Sequence, residues 1–281
     1  YGIMCIDRDR MNLCGKVNMV CFDKTGTLTE DHLDIYGYRP IIYKNKKFVF
    51  DEFQKTAEEY ARESYDHYKQ KTRETIKNKT KDLKQYMIET LACCHGNTIV
   101  KGKMIGDPID VKMFQSCGWV LQENIENADN FDSLVLSYVR PKAEKDIHSQ
   151  FAQANNEKVE EQEVSEKEHY ELGIVRRFDF SSKLQRMTVL AKDVHQNYFK
   201  AFCKGSPEKV KELCKPETIP ENFADILSIY TSKGLRVLAL AVKFIKMDFV
   251  QAQEISQSFV ESNMIFLGLL IVQNKLKMGI Y

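Results

Sequence analysis

An apolar run, Val17-Asn18-Met19-Val20-Cys21-Phe22, ends directly in Asp23-Lys24-Thr25-Gly26-Thr27-Leu28-Thr29-Glu30. A short apolar run closed by turn residues reads as a buried strand. Asp23 is therefore expected at the carboxyl end of a strand, where open α/β sheets place their chemistry. A carboxylate there can act as a nucleophile that takes a phosphoryl group. Gly26 lets the backbone turn sharply, and the threonine hydroxyls and turn amides can point at phosphate oxygens. Lys24 adds positive charge. Ordinary polar turns use the same residue types, but a full octet in this order constrains the chain far more than Asp-x-Thr-Gly alone.

At 281 residues the chain has length for one large domain or two smaller ones. Its 43% hydrophobic and 29% charged content is that of a globular protein rather than a disordered one. A formal charge of +1 gives no reason to expect nucleic acid or an acidic membrane surface as partner. The eight cysteines include no Cys-x-x-Cys pair, and most sit in apolar runs, so reduced, buried thiols of a cytosolic compartment are expected. Met264 to Val272 is the longest uncharged apolar run, far short of the roughly 20 residues that cross a bilayer. No signal peptide is expected either.

Along the chain, residues 33–43 read as extended, with a break at Arg39-Pro40 that suits a hinge between lobes. Residues 53–90 read as one or two surface helices, with Leu83, Met87 and Leu91 as an apolar stripe at helical spacing. A hairpin around Lys101-Gly102 precedes a helix running from Asp107-Pro108 through Phe114. Residues 122–168 are polar and charged and read as an insertion without fixed structure. Strand-like runs follow at 173–180, 187–191, 198–203, 237–243 and 265–272, with a helix opened by Ser206-Pro207 and another ending at Ile226 to Ser232. Strands and helices without βαβ regularity indicate an α+β lobe.

A second constellation lies in Phe178-Asp179-Phe180-Ser181-Ser182-Lys183 and Lys204-Gly205-Ser206-Pro207-Glu208. A purine nucleotide needs a flat apolar surface, a cation and close backbone approach. Phe180, Lys204 and Gly205 supply one of each, although a strand-end Phe is more often core and Lys-Gly more often a solvated turn.

The octet resembles the phosphorylation signature of the P-type ion-pumping ATPases, and the two later stretches resemble that family's Phe-Ser and Lys-Gly-x-Pro-Glu motifs in the same order. The resemblance implies an α+β nucleotide-binding domain, an antiparallel sheet flanked by helices, inserted in a haloacid-dehalogenase-like α/β phosphorylation domain present as a stub. The expected division is residues 1–38 for the stub and first hinge, 39–273 for the nucleotide-binding domain and 274–281 for the second hinge. It implies ATP and Mg²⁺: Asp23 as the phosphorylated nucleophile, Lys24, Thr25 and Gly26 at the phosphate, and Asp23 with the Thr25 carbonyl at the metal. Phe180 would stack on adenine, Lys204 and Gly205 would line the same pocket, and Arg236 would reach the phosphates. Asp110 of Gly106-Asp107-Pro108-Ile109-Asp110 is either an adenine contact or a helix N-terminal charge.

Many pumps carry an arginine two residues after the stacking Phe; this chain has Ser182 there, leaving Arg186 or Lys183 as substitutes. Cys94-His95-Gly96-Asn97 and Asn274-Lys275-Leu276-Lys277 resemble the type V branch, which implies a multi-pass parent pump of endosomal, lysosomal or endoplasmic-reticulum membranes carrying a polyamine-like cation. The family's later Thr-Gly-Asp, Gly-Asp-Gly-x-Asn-Asp and Thr-Gly-Glu motifs do not occur here. The expected partners are thus the missing remainder of the phosphorylation domain and the actuator and membrane domains, and the expected behaviour is weak nucleotide binding without appreciable autophosphorylation. Two other classes remain open. A soluble haloacid-dehalogenase-type phosphatase is opposed by Thr25, where such enzymes carry an acid/base aspartate. The other is a non-catalytic ATP-binding or interaction module; as a scaffold whose degenerate ATPase loop binds a protein partner, it would show no localised response at Phe180 and Lys204 on ATP titration.

Overall fold

Apolar runs through the second half of the chain, buried on both faces, build a single large sheet. The structure is a computed structural model that describes residues 4, 6, 7, 10–57, 79–123, 135–142, 170–193, 196 and 198–280. The strands are β1 (Thr29–Lys44), β2 (Lys47–Phe50), β3 (Thr98–Val100), β4 (Lys103–Ile105), β5 (Trp119–Glu123), β6 (Ser137–Pro141), β7 (Leu172–Ser181), β8 (Arg186–Asp193), β9 (Phe199–Gly205), β10 (Arg236–Ile245) and β11 (Ile265–Leu276). The helices are α1 (Met11–Cys14), α2 (Lys79–Cys93), α3 (Pro108–Ser116), α4 (Pro207–Leu213), α5 (Phe223–Thr231), α6 (Phe249–Glu254) and α7 (Gln257–Val260). The large sheet runs β2-β1-β11-β10-β9-β8-β7-β6-β5, and β3 and β4 form a separate hairpin. From β5 to β11 each strand pairs antiparallel with the next, a meander that needs no crossover.

Two compact units result, one of Tyr1–Leu33 with Asn274–Tyr281 and one of Asp34–Gln273. In the larger unit β9 is buried along its whole length. Lys200, Phe202 and Lys204 point to one face, where Glu89 of α2 meets Lys200. Ala201 and Cys203 point to the other, because Thr188, the register partner of Cys203, meets Glu261 just after α7. Phe223 of α5 packs edge-on against Phe266 at 5.6 Å on that same second face. Helices on both faces of an antiparallel sheet give the α+β architecture expected from the sequence. Fully buried Phe199, Phe202 and Phe266 anchor it, each contributing about 1.5–3 kcal/mol of burial.

Several expectations change. Residues 17–22 form no strand, and Val17, Met19, Val20 and Phe22 are exposed. A strand needs neighbours to take up its N–H and C=O groups, and among the described residues none pairs with this run. The break at Arg39-Pro40 is absent. Strand β1 passes through it, because Pro40 needs only to accept, from Asp51 N at 2.8 Å, and the β2 ladder starts one residue later at Ile41. Residues 53–57 are not helical, since Gln54 bridges Tyr38; α2 covers the end of the expected helical region, with Leu83, Met87 and Leu91 buried, and the stretch 58–78 lies outside the described residues. The expected insertion includes the end of β5 and all of β6; its remaining parts, 124–134 and 143–168, lie outside the described residues. Cys14 and Cys21 are exposed while Cys93, Cys94, Cys117, Cys203 and Cys214 are buried, all of them free. Ser206 precedes α4 as expected but does not cap it with its side chain, because its hydroxyl donates to Glu208 at 2.6 Å.

Candidate functional site

In the smaller unit, Lys24–Leu28 form one turn of π-helix opened by Asp23. Gly26 takes φ +78°, the left-handed value expected of a glycine in a sharp turn. Thr29, buried, donates its hydroxyl to the Lys24 carbonyl at 3.2 Å, so that threonine closes the turn instead of facing outward. Lys277 donates its amide to Leu28 O at 3.0 Å and its ammonium to Gly26 O. Asp23, Lys24 and Thr27 are exposed; the side chain of Thr25 lies outside the described residues. Among the described residues no group of three or more His, Cys, Asp or Glu could hold a metal ion. Mg²⁺ demands an octahedron of oxygens, so the lone carboxylate of Asp23 is not by itself a Mg²⁺ site, and no step is derived through that ion.

The second cluster sits on the α2/α3 face of the large sheet. Lys204 is 7% exposed and ion-pairs with Asp110, itself 7% exposed, in the first turn of α3. Asp107 caps that helix by accepting from Ile109 N at 2.9 Å, and Pro108 sits in its first turn. Asp110 also receives Gly96 N at 3.3 Å, and its carbonyl accepts from Asn97 Nδ2 at 3.2 Å, which ties the segment after α2 to α3. Asp110 is thus both a helix N-terminal charge and the counter-ion of Lys204.

His95 lies in the same cluster, buried, edge-on to Phe114 at 5.1 Å. Its Nδ1 accepts from Asn97 N at 3.2 Å, which leaves the ring proton of the neutral imidazole on Nε2. Burial, and then the Lys204 cation, push its pKa down to about 3, against a weaker opposing pull from the Ala92 carbonyl. Among the described residues, His95 Nε2 and Asn97 Oδ1 are buried without a hydrogen-bond partner. Sequence reasoning used Cys94-His95-Gly96-Asn97 only as a branch marker; its adjacency to Lys204 is a tertiary fact with no local signal.

Phe180, next to last in β7 and beyond the stretch paired with β6, is 63% exposed, a large aromatic left uncovered at a strand end. Ser181 pairs with Arg186, whose side chain meets Glu261 on the α7 face. Counted back from Ser181, Phe180 falls on the opposite face, that of Lys204 and its register partner Met187; counted on from Phe178, whose partner Thr188 meets Glu261, it falls on the α7 face, and the register shift between Phe178 and Ser181 separates the two counts. Gly205 is buried at the end of β9, and a Cβ there would come within 2.4 Å of Gln185 O, so its bareness serves the approach of the β7–β8 turn. Ser182 is exposed in that turn. Arg236 opens β10, exposed, on Lys204's face but four residues beyond Leu240, the partner of Lys204, about 13 Å along the strand. The sheet thus brings together Lys204, Asp110 and Gly205, sets Phe180 at the same end of the sheet with β8 between them, and sets Arg236 at some distance.

An antiparallel sheet layered by helices, with an exposed aromatic beside a buried lysine–aspartate pair, is the setting in which the comparisons with known proteins fall. A family model described as P-type ATPase, cytoplasmic domain N, matches residues 149–279. The chain belongs to the P-type ATPases. Within them it groups with the type V branch: it is 39% identical to the polyamine-transporting ATPase 13A3 of Mus musculus over 98% of this chain and 21% of that protein. It is 35% identical to the polyamine-transporting ATPase 13A2 of Homo sapiens, over 98% of this chain and 20% of that protein. The vacuolar cation-transporting ATPase YPK9 of Saccharomyces cerevisiae is 34% identical, over 98% of this chain and 18% of that protein. The chain spans about a fifth of the length of these relatives. Among the described residues no helix is long and apolar enough to cross a membrane.

Proposed function

We propose that this chain is the ATP-binding cytosolic portion of a type V transport ATPase. The larger unit holds the nucleotide: Phe180 stacks on adenine, Asp110, Lys204 and Gly205 form the floor, and Ser182 and Arg236 lie toward the phosphates. The smaller unit is a stub of a haloacid-dehalogenase-like phosphorylation domain, with Lys24, Thr25 and Gly26 around the phosphate. There the Asp23 carboxylate attacks the γ-phosphorus of ATP, an acyl phosphate bond forms, and the bond to the departing ADP breaks with its electron pair. Mg²⁺ bound with ATP would supply charge neutralisation at the phosphates, and Asp23 and the Thr25 carbonyl are the residues of this chain that would help hold it. A threonine at 25 has no proton to exchange near neutral pH, which favours a lasting acyl phosphate over rapid hydrolysis. By kinship with relatives named for polyamine and cation transport, the cycle moves a polyamine-like cation across an endomembrane.

The observation that carries this reading is the buried Lys204–Asp110 pair at the end of β9, with an exposed Phe180 at the same end of β7, one strand further across the sheet. The test is titration of the chain with ATP by calorimetry and by amide NMR. Shifts centred on residues 178–183 and 204–205 are expected, and Phe180→Ala should weaken ATP and adenosine alike by about tenfold, the value of one base–aromatic stack. Shifts scattered over the surface, or an unchanged affinity in Phe180→Ala, would remove the site.

A further inference from the structure

The sequence leaves Arg186 and Lys183 as candidates for the charge that Ser182 does not provide. The side chain of Arg186 goes elsewhere. Its Nε donates to Glu261 Oε2 at 2.7 Å, and Glu261 is 2% exposed on the face opposite Lys204. The other oxygen of Glu261 accepts from Thr188 Oγ1 at 2.6 Å and Gln257 Nε2 at 2.9 Å. Arg186 also donates from Nη1 to Leu184 O at 3.4 Å, inside the β7–β8 turn.

That turn needs an external hold. Gln185 sits at φ +53°, a left-handed conformation that a non-glycine residue adopts at a cost. The β7–β8 ladder shifts register between Phe178 and Ser181, so an irregularity lies immediately before the turn. A slip of one residue in a strand carries its side chains to the other face. Phe180 is the residue a slip here would move. Ser206 N donates to Gln185 O at 2.9 Å, which holds the turn from the β9 side, and the Arg186–Glu261 pair holds it from the α7 side.

We propose that Glu261 is a positioning residue for nucleotide: by capturing Arg186 on the far face of the sheet it fixes the register of the β7–β8 turn, and so the direction of Phe180. This rests on the nucleotide reading given above. Arg186 is accordingly not a phosphate ligand, and neither residue touches the nucleotide.

The experiment measures ATP and adenosine binding to the 281-residue chain by calorimetry, with the aromatic NMR signals of Phe180 as a second readout. Arg186→Gln, Arg186→Lys, Glu261→Gln and the double variant Arg186→Gln/Glu261→Gln are compared, each corrected for its folded fraction. Arg186→Gln and Glu261→Gln are expected to weaken both ligands by the same factor, about fivefold, and to move the Phe180 signals before ligand is added. Arg186→Lys, which keeps a cation opposite Glu261, should stay within about twofold of the parent. The double variant buries no unpaired charge, which protects its folding. It should bind no more weakly than either single change, because the two residues act as one device. Loss of ATP affinity with adenosine unchanged in Arg186→Gln would make Arg186 a phosphate ligand and overturn the proposal. Unchanged affinity of the folded single variants would overturn it as well, leaving the pair a packing feature. If the unsubstituted chain binds neither ligand, the nucleotide reading fails first and takes the proposal with it, a result visible before any variant is made.

Discussion

Lys200 and Lys204 stand on the same strand, point to the same face, and are both buried, about 13 Å apart. Each meets a carboxylate from the helical layer above, Glu89 of α2 in one case and Asp110 of α3 in the other. Their surroundings differ. Lys200 donates to Glu89 at 2.9 Å and to Tyr170 Oη at 3.0 Å, and Tyr170 and Gln85 also donate to Glu89. The rings of Tyr86 and Tyr170 lie 5.6 and 5.5 Å from the ammonium. Burial pulls the Lys200 ammonium down, but the Glu89 and Asp193 carboxylates outweigh it and hold its pKa above the ordinary value; burial and Glu89 push the Tyr170 hydroxyl well up. One buried acceptor there lacks a partner, Gln85 Oε1, on an amide whose nitrogen is already used. Around Lys204 two separate residues, His95 and Asn97, carry unpartnered buried atoms beside an exposed aromatic. A buried lysine therefore does not announce a site. What separates the two is whether the polar atoms around it are already satisfied and whether something flat and apolar is left uncovered.

The largest effect that tests this contrast is on stability at the closed end. Lys200→Met leaves Glu89 buried without its cation, and removing one partner of a buried pair costs about 3–5 kcal/mol. Chemical denaturation should show that loss, should show most of it recovered in Lys200→Met/Glu89→Leu, and should leave the ATP affinity of the folded protein unchanged. Lys204→Met inverts the pattern. Hydrogen bonds from charged groups are worth about 1.5–3 kcal/mol, so ATP affinity should fall between roughly tenfold and a hundredfold, with a smaller loss of stability because Asp110 keeps its bond from Gly96 N. Equal loss of ATP affinity in the two folded variants would erase the distinction between the lysines.

How far the sequence shows this depends on whether the information is local. Strands β7 to β11 were legible because each is a short apolar run rich in β-branched and aromatic residues, and α3 because Asp107-Pro108 announces it. The hairpin at Lys101-Gly102 was legible too, and both residues take positive φ there, 51° and 74°. The run at 17–22 misled because its composition reports what the residues would do with strand neighbours, and none pairs with it among the described residues. Pro40 misled because a proline signals a break only where its missing donor is needed. At the candidate site Phe180, Lys204 and Asp110 were each visible in sequence, but the meeting of Lys204 with Asp110 is fixed by strand register and a helix crossing, and the placement of Phe180 by a register shift in β7. Arg186 shows the limit most plainly: its sequence position sits beside the nucleotide motif, and its side chain belongs to Glu261 on the other face.

The smallest expected effect concerns His95, at the open end. Its pKa, pushed down to about 3 by burial and the Lys204 cation with a further contribution from Arg177, means the native state keeps the imidazole neutral. An unfolded chain protonates the same histidine near pH 6.5. Between those values the unfolded state binds one more proton than the native state, so stability rises with pH across the window and falls as the solution is acidified through it. At pH 5.5 the loss amounts to about 1 kcal/mol relative to pH 7.5. Urea melts at the two pH values should show that His95→Gln, which cannot titrate, loses about 1 kcal/mol less than the parent chain, whatever its own stability at pH 7.5. Among the described residues the Lys200 cluster contains no histidine, so a matching pH dependence in the parent chain and His95→Gln would mean that His95 is not held neutral and that the open end is less buried than its geometry indicates.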